Sequence, residues 1–447
     1  MSILISYGLY FLIWFAFVPL LYLTYTKNYK RIIIYSAIYG IITSIAFFSW
    51  VYELKTAFYR LIYVSIILVF TLYFIFFMVA VSSISKKIKS NYAVLLPPVI
   101  WILLLLIYSL LPIQIYWMDF AIFQPSLIPL VWYFGSYGIT FLIILFNSVI
   151  ACYFIKKNNK LVFLLLFLAS LIIFSILYTN YSDFLYDNKI KVALLQGNFP
   201  YSFEWRQNHT FDIVLGTYLN MTLEASKEKP DLVIWPEYSL PQDLRKNENA
   251  LKTLQKTSVD LNEVLIIGSL KYEGDTNTDT AFVFKPDGTF DTYDSVSPFF
   301  LADKIKVIKG NQTNIIQYNN KKFGVVICNE ENMQWVVRSH SNQGSQFIVS
   351  MSNNQYLGRG MHIIAQFAKL RAAENAKYVV RATNDGLTQI INPFGKVIYS
   401  IEPKKQNILI GDIYLNNYKT FYTRYGNFLV YLIIIFSITI MFKKEGK

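Results

Sequence analysis

The stretch "FGVVICNEENMQW" (323–335) runs apolar from Phe323 to Ile327, stops at Cys328, and passes at once into Asn329, Glu330 and Glu331. A short apolar run that ends so abruptly has the length of a buried strand rather than of a helix. Runs of the same kind lie at 190–198 (IKVALLQGN), 231–236 (DLVIWP), 264–269 (VLIIGS), 280–285 (TAFVFK), 346–352 (QFIVSMS), 378–382 (YVVRA) and 387–392 (LTQIIN). Helical patterns fall between several of them, notably at 208–227 and 361–376, and "KPDGTF" and "NPFGKV" read as hairpin turns. Strands alternating with helices predict an α/β domain over 189–424, with two packed sheets flanked by helices in an αββα sandwich.

The rest of the chain is of another kind. Of 447 residues, 54% are hydrophobic and 17% aromatic, and the mean hydropathy is +0.38, which excludes an ordinary soluble chain. The excess is concentrated in residues 1–182. Apolar stretches near 3–25, 32–53, 61–84, 92–112, 128–154 and 161–180 are each of the length needed to cross a hydrocarbon layer, roughly 20 residues. They predict an α-helical transmembrane bundle of about six spans. A seventh stretch, 428–442 within 425–447, predicts a C-terminal transmembrane helix followed by a basic cytoplasmic tail.

Lysine and arginine orient the bundle. Lys27, Lys30 and Arg31, then Lys86, Lys87 and Lys89, then Lys156, Lys157 and Lys160, and finally Lys443, Lys444 and Lys447 mark alternate connections, whereas 113–127 carries no basic residue. By the positive-inside rule the basic connections are cytoplasmic. The first span is then a retained helix rather than a cleaved leader, and residues 189–424 face the extracytoplasmic (periplasmic) side of the cytoplasmic, or inner, membrane. The net charge of +13 serves orientation and contact with anionic headgroups of the lipid bilayer; nucleic acid is not expected as a partner.

Three predicted strands end in polar groups: Glu237 after "VIWP", Cys328 after "VVI", and Asn353 after "VSMS". Strand ends are where α/β sheets gather binding and catalytic groups. Cys152 lies in a predicted membrane span, so Cys328 is expected to be unpaired, and an unpaired thiol in an oxidising compartment is better explained as a nucleophile than as packing. Activating it requires a base, a role Glu237 can fill, and an oxyanion donor. The three histidines, His209, His340 and His362, are too scattered for a metal site, and neither a metal nor another cofactor is expected.

The segments "LLQGNFPYSFEW", "PDLVIWPEYSLP", "FGVVICNEE", "VSMSNNQYLG" and "LRAAENAKYVVRATNDGLTQIINPFGKV" resemble the nitrilase (carbon–nitrogen hydrolase) superfamily. The order of membrane helices, outer domain, "FYTRYGN" and final helix is similar to its apolipoprotein N-acyltransferase branch. The resemblance implies Cys328 as nucleophile and Glu237 as general base. It further implies Trp205, Glu330 and Asn353 as substrate-binding residues. The acyl donor would be a phospholipid, the intermediate a thioester, and the acceptor the N-terminal amine of a diacylglyceryl-cysteine lipoprotein. At the oxyanion lysine the chain departs from the pattern. Ser295, two residues after Tyr293, occupies that position, so either Lys304 or Lys306 supplies the cation, with Asp303 standing for the family's second acid, or the charge is missing. Two rivals stay open: a membrane-tethered amidase or acyltransferase acting on another amine or amide, and a binding or assembly homologue that has lost turnover.

Overall fold

The computed structural model describes residues 9–24, 28–52, 57–88, 90–110, 118–125, 127–181, 188–200, 208–240, 242–274, 276–298, 306–354 and 357–442. The chain divides into two units. One comprises Met1–Ser182, Leu357–Ile363 and Tyr425–Lys447, and the other Asp183–Tyr356 and Ile364–Arg424.

The first unit is helical: α1 (Val18–Thr24), α2 (Tyr29–Tyr52), α3 (Ala57–Ser85), α4 (Leu96–Ser109), α5 (Leu130–Lys156) and α6 (Asn159–Tyr181). Among the described residues, five helices are long and apolar enough to cross a membrane. The protein is therefore a multi-pass membrane protein. The first expected span, 3–25, differs from expectation: it is broken into a 3-10 turn at Tyr10–Trp14 and the short α1. Pro19, which has no amide hydrogen, stands at the start of α1, and the Phe17 amide and Ile13 carbonyl at the break are taken up by a buried side chain on α5. Asn147 Oδ1 accepts the Phe17 amide at 2.9 Å, and Asn147 Nδ2 donates to the Ile13 carbonyl at 3.1 Å. A break in a membrane helix persists only where a neighbour satisfies it in this way. The C-terminal helix, Phe428–Phe442, has 15 residues, about 22 Å of rise against a layer of roughly 30 Å. Over the described residues it is a short apolar helix rather than a full span.

The second unit holds two sheets. The first is built from β1 (Lys189–Gln196), β2 (Leu232–Ile234), β3 (Val264–Glu273), β4 (Thr276–Phe284), β5 (Phe290–Asp294) and β6 (Lys306–Val307). The second contains β7 (Ile315–Tyr318), β8 (Lys321–Ile327), β9 (Phe347–Ser352), β10 (Tyr378–Thr383), β11 (Gln389–Ile391) and β12 (Val397–Ser400). The last strand, β13 (Asn407–Tyr414), returns to the first sheet, which is ordered β13-β1-β2-β3-β4-β5 with β6 beside β4; the second is ordered β12-β11-β10-β9-β8-β7. The central three strands of each sheet, β1-β2-β3 and β8-β9-β10, are parallel. Parallel neighbours need crossovers, and α7 (Asn208–Ser226), α8 (Glu248–Leu261), α9 (Gln334–Gln343) and α10 (Gly360–Asn375) supply them.

Strand alternation explains the layers. Val192 and Leu194 on β1 and Val325 and Ile327 on β8 point into one core between the sheets, while Ala193 and Leu195 face a second core with Phe211, Val214 and Leu254 of α7 and α8. On the other sheet, α9 lies so close to β8 that a Cβ on Gly324 would come within 2.5 Å of His340 Cβ. The expected αββα sandwich is thus present.

Candidate active site

Both catalytic candidates follow parallel strands at their C-terminal ends. Glu237 comes three residues after β2 and Cys328 directly after β8. The chain turns sharply at each: Tyr238, next to Glu237, has φ +52° and Cys328 itself has φ +53°. Left-handed backbone costs a side-chain-bearing residue about 1–2 kcal/mol, and its presence at both positions marks them as sites where strain is retained.

The two side chains meet. Glu237 is 4% exposed, and its carboxyl lies close enough to the Cys328 thiol and to the Asp279 carboxyl of β4 for both to act on its proton affinity. Its Oε2 accepts the Asn353 amide at 2.7 Å. Burial pushes its pKa up to about 7, opposed by the bonds from Asn353, Cys328 and Asp279. That value suits a group that must take and return a proton near neutrality. Burial also pushes the Cys328 thiol well above its ordinary range, and the neighbouring Glu237 carboxyl reinforces the shift. Cys328 is therefore held as a thiol, and a thiol so held can act as a nucleophile only with a base beside it.

The neighbouring acids have occupied partners. Glu331 forms a bidentate pair with Arg381 of β10, both contacts at 2.8 Å, and accepts Ser350 Oγ at 2.8 Å. Glu330 is fully buried. Its oxygens accept Tyr293 Oη at 3.0 and 3.1 Å and the amides of Val296 (2.6 Å), Ser297 (3.1 Å) and Ile327 (2.8 Å). With both oxygens taken by donors of the chain, Glu330 ties the 293–297 segment to the strand bearing the nucleophile. Asn353 acts on Glu237 through its main chain, and its buried Oδ1 has no hydrogen-bond partner among the described residues.

Ser295 is buried beside Asp279: its amide donates to the Asp279 carbonyl at 2.9 Å and its carbonyl accepts the Gly310 amide at 2.7 Å. The position at which the family carries its lysine thus lies beside Asp279, with a hydroxyl in place of the ammonium group. Trp205, Asp303 and Lys304 lie outside the described residues, and for Lys306 only the backbone is described. Sequence reasoning missed Asp279. Its signal was a lone acid in "TDTAFVF", inward by strand alternation with Ala281 and Val283. Asn384, just after β10, grips both the amide and the carbonyl of Phe199 with its side chain, at 3.0 and 2.6 Å. Among the described residues no cluster suited to a metal ion occurs.

Comparison with known proteins extends these observations. Residues 191–422 match the carbon-nitrogen hydrolase family, and residues 2–149 match the apolipoprotein N-acyltransferase N-terminal domain. Among curated proteins, the apolipoprotein N-acyltransferase of Haemophilus ducreyi is 27% identical over 67% of this chain and 65% of its own length. That of Vibrio vulnificus is 24% identical over 58% and 57%, and that of Shewanella oneidensis 24% over 65% and 62%. The chain thus spans less than two thirds of the length of each. Among solved structures, an amidase from Nesterenkonia sp. covers 56% of this chain and 99% of its own at 16% identity and TM-score 0.45. Saccharomyces cerevisiae Nit3 covers 52% and 93% at 19% identity and TM-score 0.44.

Proposed function

We propose that the chain, which belongs to the carbon-nitrogen hydrolase family, is a membrane N-acyltransferase that carries a fatty acyl group on Cys328. The observation that carries this reading is the contact between the Glu237 carboxyl and the Cys328 thiol at the ends of β2 and β8. Glu237 removes the thiol proton, and sulfur attacks the ester carbonyl of a phospholipid. A C–S bond forms, the ester C–O bond breaks, and the departing lysophospholipid oxygen takes the proton from Glu237. The free amine of an N-terminal diacylglyceryl-cysteine then attacks the thioester. A C–N bond forms and the C–S bond breaks, Glu237 takes the ammonium proton and returns it to the departing sulfur, and the product is an amide.

Several further assignments belong to this reading. The helical unit and its match to the N-terminal domain of apolipoprotein N-acyltransferases favour a lipid donor and a lipoprotein acceptor. The charge bias of the connections supports a catalytic domain on the extracytoplasmic side of the cytoplasmic membrane. Lys304 supplies the oxyanion cation, Trp205 and Asn353 contact substrate, and residues 1–182, 189–424 and 425–447 act as membrane bundle, catalytic domain and C-terminal anchor. A second reading, a homologue without turnover, is favoured by one observation, the serine at position 295. The deciding experiment supplies detergent-solubilised protein with phospholipid and a diacylglyceryl-cysteine peptide. Mass increase of the peptide by one acyl chain supports N-acylation. Release of free fatty acid alone points to a hydrolase, and no consumption of phospholipid points to the homologue without turnover.

A further inference from the structure

The proton transfers above leave one buried acid of the site without a role. Asp279 is 4% exposed and sits on β4 opposite Leu270 of β3. It lies on the strand face that continues through Ala281 and Val283 into the core between the sheets. Two residues back along β3 from Leu270 is Gly268, and a Cβ there would come within 2.3 Å of the Pro236 carbonyl oxygen and 2.7 Å of Glu237 Cα. The missing side chain lets the Glu237 backbone settle onto β3, beside the strand that carries Asp279. There the two carboxyl groups come close enough for Asp279 to act on the Glu237 carboxyl.

Two buried carboxyls in contact do not both ionise, and one proton stays between them. Its location follows from the other partners. Glu237 Oε2 already accepts the Asn353 amide, a bond that favours charge on Glu237. The surrounding charged groups do not alter this ordering. Glu331 is neutralised by Arg381, Lys271 of β3 is held by Asp294 of β5, Glu330 is bound by Tyr293 and three amides, and Cys328 is a thiol.

We propose that Asp279 is a positioning acid, protonated at neutral pH, that donates a hydrogen bond to the Glu237 carboxylate and so keeps the base ionised and directed at the Cys328 thiol. A carboxylic acid used as a neutral donor is an established device in buried sites. Asp279 keeps its proton while Glu237 gains and loses one.

The inference rests on the assignment of Cys328 and Glu237, and its test avoids lipid altogether. The rate at which iodoacetamide alkylates Cys328 is followed across pH by peptide mapping in the full-length wild type and in the Asp279→Asn and Asp279→Leu variants. In this step the S–H proton passes to Glu237, sulfur bonds to the methylene carbon and iodide leaves. An asparagine amide still donates, so Asp279→Asn is expected to keep the wild-type acid limb and stay within about threefold in rate. Asp279→Leu removes the donor from a buried carboxylate. Its acid limb is expected to move up by a pH unit or more, with alkylation at pH 7 falling about tenfold. Should the leucine variant fold poorly, Asp279→Ala gives the same comparison. Equal profiles for all the variants, or an asparagine variant as impaired as the leucine one, would overturn the proposal. Expected profiles in a protein that never acylates its peptide substrate would instead remove the acyltransfer reading and leave the role of Asp279 standing.

Discussion

Replacing Glu237 by glutamine should stabilise the protein while disabling it, and the size of the gain can be worked from the site. Glutamine retains an oxygen to accept the Asn353 amide, bonded at 2.7 Å in the wild type, and fills nearly the same volume. What it removes is the cost of ionising a carboxyl that is 4% exposed. That cost appears as a pKa raised from 4.5 to about 7. For an acid whose pKa is higher folded than unfolded, the stabilising contribution is complete below the unfolded value and is lost as pH rises through the folded one. The wild type therefore loses stability between about pH 4.5 and pH 7 and above, by about 3 kcal/mol in total at 1.36 kcal/mol per pKa unit. In thermal unfolding of the full-length protein in detergent, the Gln variant should match the wild type at pH 4.5. It should exceed the wild type at pH 8.5 by up to about 6–12 °C, taking roughly 2–4 °C per kcal/mol for a domain of this size. Its alkylation and acylation rates should fall by about 10²–10⁴. A Tm difference that stays constant from pH 4.5 to pH 8.5 would refute the claim that burial of an ionised Glu237 is what the fold sustains for catalysis.

Gly268→Ala forces a Cβ to 2.3 Å from the Pro236 carbonyl oxygen, so the turn bearing Glu237 must shift; acylation of Cys328 should fall at least about tenfold while the melting temperature drops by only a few degrees. Glu330→Leu strips the bonds to Tyr293, Val296, Ser297 and Ile327. At about 1–3 kcal/mol for each buried donor left unmade, it should destabilise the protein by several kcal/mol, and the protein should unfold at distinctly lower denaturant concentration. Lys304→Ala should lower the acylation rate by about 10²–10³, the usual cost of losing one oxyanion donor, whereas Lys309→Ala at an exposed position should leave it unchanged. Equal rates for the two lysine variants would remove Lys304 from the reaction.

The catalytic unit was legible wherever local pattern decides structure. Eight apolar runs became strands, among them β8 and β9, because buried parallel strands need continuous apolar sequence. "KPDGTF" and "NPFGKV" close hairpins, with Gly288 and Gly395 at φ +81° and +73°. Less legible was β13, which pairs with β1 across more than 200 residues of chain, Lys189 opposite Tyr414; no local signal selects so distant a partner. The broken first helix was hidden for a similar reason, since the group that satisfies it, Asn147, belongs to α5. Residue type pointed to Cys328 and Glu237. That Glu330 turns both oxygens to the chain's own amides, and that Asp279 meets Glu237 across two strands, are properties of packing that no short motif encodes.

The central claim is that Cys328, with Glu237 as its base, carries the acyl group. It is tested most directly by incubating the protein with isotopically labelled phospholipid and mapping the modified peptide by mass spectrometry. The account predicts one labelled acyl chain on the peptide containing Cys328, released by neutral hydroxylamine as a thioester is, absent in Cys328→Ala and strongly reduced in Glu237→Gln. Label on any other residue, or label that persists in Cys328→Ala, would contradict it.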